Sequence, residues 1–121
     1  LQGGMEAWKA AGYPVSTSGL TTPQEISQKR ADKGEIAVLD VRENDEWREG
    51  HIPGAIHIPL GELEKRIGEL PRSCPVAVTC AHGQRSSSGV SLLQRLGFQE
   101  VENILGGTEA WKKANLPLEK D

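Results

Sequence analysis

Pro75-Val76-Ala77-Val78-Thr79-Cys80-Ala81-His82-Gly83-Gln84-Arg85-Ser86 is the stretch on which the reading of this chain turns. Its first half is an apolar run of strand length, the pattern of a strand covered on both faces. Its second half changes character at once: a cysteine, a glycine, an arginine and the serines Ser86, Ser87 and Ser88, followed by Val90, Leu93 and Leu96 at helical spacing. A buried strand that passes through a short loop into a helix is the unit of parallel α/β sheets, and ligands there bind beyond the carboxyl ends of the strands. Cys80 stands at that end.

The sequence on either side alternates in the same way. Thr22-Pro23-Gln24-Glu25 is a capping box with proline at the first helical position, which predicts a helix from Pro23 to about Asp32. Ile36-Ala37-Val38-Leu39-Asp40-Val41 reads as a strand buried on both faces. Asn44-Asp45-Glu46-Trp47-Arg48 reads as a short helix ending near Gly50. His51-Ile52-Pro53-Gly54 is turn chemistry and Ala55-Ile56-His57-Ile58 a second short strand. Leu60, Leu63, Ile67 and Leu70 fall on one face of a predicted helix, and Gly97 is placed to stop the helix that carries Val90. A strand over 101–105 and a helix over 107–114 with Trp111 complete the series. The expected fold class is α/β, a central parallel sheet with helices on both faces.

A chain of 121 residues suits one domain with a real core. A net charge of −3 without a long Lys/Arg run gives no electrostatic footprint for nucleic acid, and no apolar run reaches the about 20 residues of a membrane span. Neither nucleic acid nor membrane is an expected partner. Residues 1–15 match residues 104–118 at eight of fifteen positions without a gap, sharing Gly-Gly, Glu-Ala-Trp-Lys and Pro. That repeat, one domain length apart, marks residues 1–15 as the end of a preceding homologous domain, residues 16–19 as linker and residues 20–121 as the domain proper. Adjacent domains of a longer parent protein are therefore expected partners. Cys74 and Cys80 bracket one extended strand and would lie roughly 20 Å apart, well beyond the ~7 Å reach of a disulfide. Cys74 reads as a small residue opening the strand. The free thiols point to the cytoplasm.

The loop has the parts that activate a thiol. The thiolate is the nucleophile, and a cysteine is only slightly ionised near neutrality unless its surroundings favour the anion. Gly83 permits a tight curl in which successive N–H groups point inward, and the helix expected to open at Ser86 aims its positive end at the same spot. Arg85 adds a positive charge, and the serines offer hydroxyls for capping or for bound sulfur. Nothing in this arrangement requires His82 to move a proton.

Residues 20–118 resemble a rhodanese-homology domain of the sulfurtransferase family. The stretches that carry the resemblance are Leu39-Asp40-Val41-Arg42 with Glu46-Trp47, then Gly50-His51-Ile52-Pro53-Gly54-Ala55, the loop Cys80-Ala81-His82-Gly83-Gln84-Arg85-Ser86, and the ending Leu105-Gly106-Gly107 with Trp111. The resemblance implies that Cys80 takes the outer sulfur of a small donor such as thiosulfate as a persulfide and passes it to cyanide or a thiol. Ala81, His82, Gly83, Gln84, Arg85 and Ser86 would hold the persulfide and its donor, Arg85 binding the anion and stabilising departing sulfite. Asp40 and Arg42 are placed mainly for structure, with a possible role behind the first layer of the site. Arg42 is expected to pair with Glu46 or Glu49 and Asp40 to lie near the pocket.

Cell-cycle phosphatases and some arsenate reductases resemble the same fold, but their loop needs five residues between Cys and Arg to wrap a phosphate. Here four intervene. A second alternative is a sulfur-relay or regulatory docking module of a larger protein, for instance one fused to a metallo-β-lactamase-like domain. His51, His57 and His82 show no zinc spacing with either cysteine, and no dinucleotide or nucleotide-phosphate motif is present, so neither metal nor cofactor is expected.

Overall fold

The computed structural model describes residues 17–31 and 35–120. Five strands form one sheet: β1 (Thr17–Thr21), β2 (Ala37–Asp40), β3 (Ile56–His57), β4 (Val76–Thr79) and β5 (Glu100–Ile104), in the order β1-β5-β4-β2-β3. Every pairing is parallel. Among the described residues, α1 (Pro23–Ala31), α2 (Asn44–Glu49) and α3 (Gln84–Arg95) lie between strands, and α4 (Gly107–Lys113) follows β5. This is the expected parallel α/β architecture.

β4 is central, and all four of its residues are buried. Because side chains alternate across a strand, Val76, Val78 and Cys80 join Leu39, Val41, Val90, Leu93 and Phe98 on one face. Ala77 joins Val38, Ile26, Ile104 and Trp111 on the other. The sheet is thus the middle layer between two cores, α3 covering the first and α1 with α4 the second. The Thr22 capping box forms, with the Glu25 N–H donating to Thr22 Oγ1 at 3.1 Å and the Thr22 N–H to Glu25 Oε1 at 3.2 Å.

Three elements differ from the sequence reading. The predicted helix over Leu60 to Leu70 is instead a pair of 3-10 turns, Leu60–Glu62 and Ile67–Glu69. Gly61 and Gly68 weaken helical continuity there, and Arg66, at φ −103° and ψ 18°, interrupts it. Leu63 and Leu70 are nevertheless buried, with Leu60 and Ile67 packed against the same core. Apolar spacing reports which side chains face inward, and short turns meet that demand as well as a helix does.

Residues 17–19, expected as linker, lie in β1, whose register runs from Thr17 opposite Glu100 to Thr21 opposite Ile104. The expected remnant over residues 1–15 lies outside the described residues. Helix α3 begins at Gln84, two residues before the expected start at Ser86, with Gly83 as its N-cap at φ +101°. That left-handed conformation is open to glycine at little cost.

Candidate active site

Cys80 follows β4 directly and is 1% exposed. What fixes its loop is the start of α4. The Thr108 N–H donates to the Cys80 carbonyl at 2.7 Å and the Glu109 N–H to the Ala81 carbonyl at 3.1 Å. With these carbonyls held outward, the next amides turn inward to the sulfur. The Gly83 N–H donates to Cys80 Sγ at 3.0 Å. Gly107 makes the approach possible: a Cβ there would lie 2.2 Å from the Cys80 carbonyl oxygen.

The result favours an anion at the sulfur. Burial pushes the Cys80 thiol up, but its hydrogen bond with the Ser86 side chain and those from the N–H groups of Ser86, Gly83 and His82 outweigh it, leaving the thiol below the ordinary cysteine value. Only the thiolate is alkylated, so a lowered pKa moves the rise in reaction rate to lower pH. In a Cys74→Ser variant, where one thiol reports, iodoacetamide labelling of Cys80 is expected to reach half its maximal rate at a lower pH than an unstructured cysteine peptide. A midpoint at or above the peptide's would contradict the cradle.

Behind the sulfur lies a residue that the sequence reading missed. Asn103 of β5 is 8% exposed, and its Nδ2 donates to the Gly83 carbonyl at 3.1 Å and to Ser87 Oγ at 3.0 Å. The Gly83 carbonyl can only accept, so the amide is oriented with Oδ1 toward Ser86, whose hydroxyl donates to it. The Cys80 thiol in turn donates to Ser86 Oγ at 3.4 Å. The available signal was a lone amide inside a buried strand, which must find partners.

Glu46 was also missed as a site residue. Arg85 meets it in a bidentate pair, Nη1 to Oε1 at 2.8 Å and Nη2 to Oε2 at 2.9 Å. Glu46 occupies the first turn of α2 and accepts the Glu43 N–H at 3.0 Å in a capping box. The Arg85 hydrogen bonds, against the opposing effect of burial, hold its carboxyl down to about 2. Arg85 is pushed up, chiefly by Glu46, with the charges of Cys80 and Glu43 adding to it. The expected free cation of the loop is therefore already paired.

Arg42 pairs with neither Glu46 nor Glu49. Its Nε donates to both Asp40 oxygens at 3.0 Å, its Nη2 to Asp40 Oδ2 at 2.8 Å and to the Gly50 carbonyl at 2.7 Å. Two residues apart on an extended backbone, the two side chains share a face, which puts Asp40 with Val38 and away from Leu39, Val41 and Cys80. The pair braces the segment leading into Gly50 and does not line the sulfur. Beside it Trp47 stacks on His51 at 3.5 Å and on His57 at 4.7 Å between ring centroids. His57 Nε2 bonds the Arg42 carbonyl at 2.7 Å and His51 Nδ1 the Trp47 carbonyl at 2.9 Å, while His51 Nε2 faces Glu119 Oε1 at 3.9 Å. The side chains of His82 and Gln84 are exposed at the mouth. Among the described residues, no three His, Cys, Asp or Glu side chains gather as metal ligands would, and no helix is long and apolar enough to cross a membrane.

Known proteins resemble this chain in sequence and in fold. The YrkF protein of Bacillus subtilis, named as a proposed sulfur carrier, is 39% identical over 88 residues, which are 72% of this chain and 48% of that protein. The chain thus spans about half of that relative's length. Thiosulfate sulfurtransferase GlpE of Coxiella burnetii is 38% identical over 80 residues, 66% of this chain and 75% of that one. The crystal structure of a rhodanese-related protein from Thermoplasma volcanium superposes with a TM-score of 0.76 at 32% identity, covering 84% of this chain and 97% of that one. Residues 22–114 match the family described as Rhodanese-like domain, and the chain belongs to that family.

Proposed function

We propose that this domain is a sulfurtransferase that carries sulfane sulfur on Cys80. The Cys80 thiolate attacks the outer sulfur of a donor such as thiosulfate. The new S–S bond forms as the old one breaks, and its electron pair leaves on sulfite. Thiolate plus the thiosulfate dianion gives a persulfide anion plus the sulfite dianion, so charge balances without any proton transfer. A thiol or cyanide then takes the terminal sulfur and regenerates the thiolate. Ala81, His82, Gly83, Gln84, Arg85 and Ser86 surround the reacting atoms, and main-chain donors stabilise the anion at each stage.

The observation that carries this reading is the cradle: a buried sulfur facing the N–H groups of His82, Gly83 and Ser86. Sulfur transfer between anions needs those donors and no proton shuttle. The name of GlpE, a thiosulfate sulfurtransferase, supports the choice of donor. Intact-mass measurement after incubation with thiosulfate is expected to show one added sulfur, removed by cyanide and never acquired by Cys80→Ser. A wild type that gains nothing from any sulfane donor would end the enzyme reading.

A relay role within a longer protein is the second reading, favoured by the half-length match to YrkF and by the repeat at residues 1–15. Neighbouring domains would then supply or consume the sulfur. A reactive free thiol needs a reducing compartment, and the cytoplasm is the location we propose.

A further inference from the structure

The pairing of Arg85 bears on which donors the site accepts. An anionic donor needs an uncompensated cation at the mouth, and the only arginine of the loop gives two N–H groups to Glu46 at 2.8 and 2.9 Å. Its charge is further offset by Glu43 and by Cys80 itself. Of the two other arginines in or beside α2, Arg42 is buried against Asp40 and Arg48 is exposed in the last turn of the helix. Among the described residues, the donors that face the sulfur are main-chain N–H groups, with Ser86 the side chain that bonds it. Those donors meet the negative charge at the sulfur; a dianion brings a further charge that Arg85, held by Glu46, meets only in part.

We propose that Glu46 is the specificity-determining residue of this site: by occupying Arg85 it turns the loop away from dianionic donors and toward sulfane donors of one negative charge or none, such as thiosulfonates and organic hydropersulfides. This rests on the sulfurtransferase reading above and narrows its donor. Glu46 acts through Arg85 and does not touch the reacting atoms. A monoanionic thiosulfonate reacts as thiosulfate does: the thiolate bonds to its outer sulfur, the S–S bond breaks, and the pair leaves on a sulfinate. Charge is again conserved, one persulfide and one sulfinate replacing one thiolate and one thiosulfonate.

Thiosulfate and methanethiosulfonate share the transferred sulfur and differ by one unit of charge, which makes them a matched pair of probes. Glu46→Gln keeps the capping box, since glutamine serves at that position, but releases the charge of Arg85. The rate constant for loading Cys80, read by intact mass in single turnovers, is expected to rise for thiosulfate relative to methanethiosulfonate by about fivefold, the worth of one unit charge at ~4 Å in water. Glu49→Gln removes an exposed carboxylate from the same helix and is expected to leave the ratio unchanged. In the wild type, which depends on no variant folding, sulfate is expected to inhibit methanethiosulfonate loading no better than methanesulfonate does.

An unchanged or reduced ratio in Glu46→Gln, or inhibition of the wild type by sulfate at lower concentration than methanesulfonate, would overturn the role of Glu46 while sulfur transfer stands. Failure of the wild type to load from either donor would overturn both. A general structural role for Glu46 would slow both donors alike and leave their ratio fixed.

Discussion

Gly107→Ala is expected to lower the unfolding free energy by about 3 kcal/mol, combining a left-handed penalty of ~1–2 kcal/mol with hydrogen bonds of ~1 kcal/mol each. Gly107 sits at φ +61°. A Cβ would overlap the Cys80 carbonyl oxygen at 2.2 Å and approach the Ala81 carbonyl oxygen at 2.8 Å. Both are backbone atoms, so no side chain can give way, and the bonds from Thr108 and Glu109 that hold these carbonyls must loosen. The same loosening frees the amides that face Cys80, and the labelling midpoint of the thiol should move up together with the loss of stability. Gly61→Ala is the matched control, since a Cβ there meets nothing within 4 Å. Chemical denaturation reads both variants. A Gly107→Ala protein as stable as Gly61→Ala would show that the loop is not fixed by α4.

The second large effect lies on the other face of the sheet. Asp40→Ala leaves Arg42, 4% exposed, without its carboxylate, and loss of one partner of such a buried pair costs about 3–5 kcal/mol. Arg42→Met strands Asp40, fully buried, at a similar cost. The double variant should lose clearly less than the sum of the two, because removing both charges removes the penalty of leaving one unpaired. Single variants within about 1 kcal/mol of wild type would show that water reaches the pair. With strand parity placing Asp40 away from Cys80, the midpoint for labelling Cys80 is expected to stay where it is in any of these proteins that fold.

The parts of this molecule that could be read from the sequence are those set by local chemistry. β4 announces itself because a strand buried on both faces must be apolar throughout, and the residue after it then falls at the end of the sheet where sites form. The capping box at Thr22 and the glycine at 97 work over one turn of helix and are equally visible. β1 is not, since Thr17-Ser18-Gly19-Leu20-Thr21 is polar and glycine-bearing and is a strand only because β5 offers it a partner. Glu46 with Arg85 and Asn103 with Ser86 are pairs separated by 39 and 17 residues, and no spacing rule connects residues so far apart. Arg42 shows the opposite error. Helical neighbours were expected to hold it, but the carboxylate two residues back on the extended chain was nearer.

The main-chain origin of the donors around Cys80 bears on how such a site can diverge. Amides are common to all residues but proline, so the chemistry of holding a sulfur anion is insulated from most substitutions in the loop. His82 and Gln84, whose side chains are exposed at the mouth, are free to be rewritten without dismantling the catalyst. Gly83 and Gly107 are not, because they set the shape on which the amides converge. Under the proposed sulfur transfer, new donor preferences are thus within reach of single changes at the rim, and the site is built to vary in what it accepts while keeping its anion cradle.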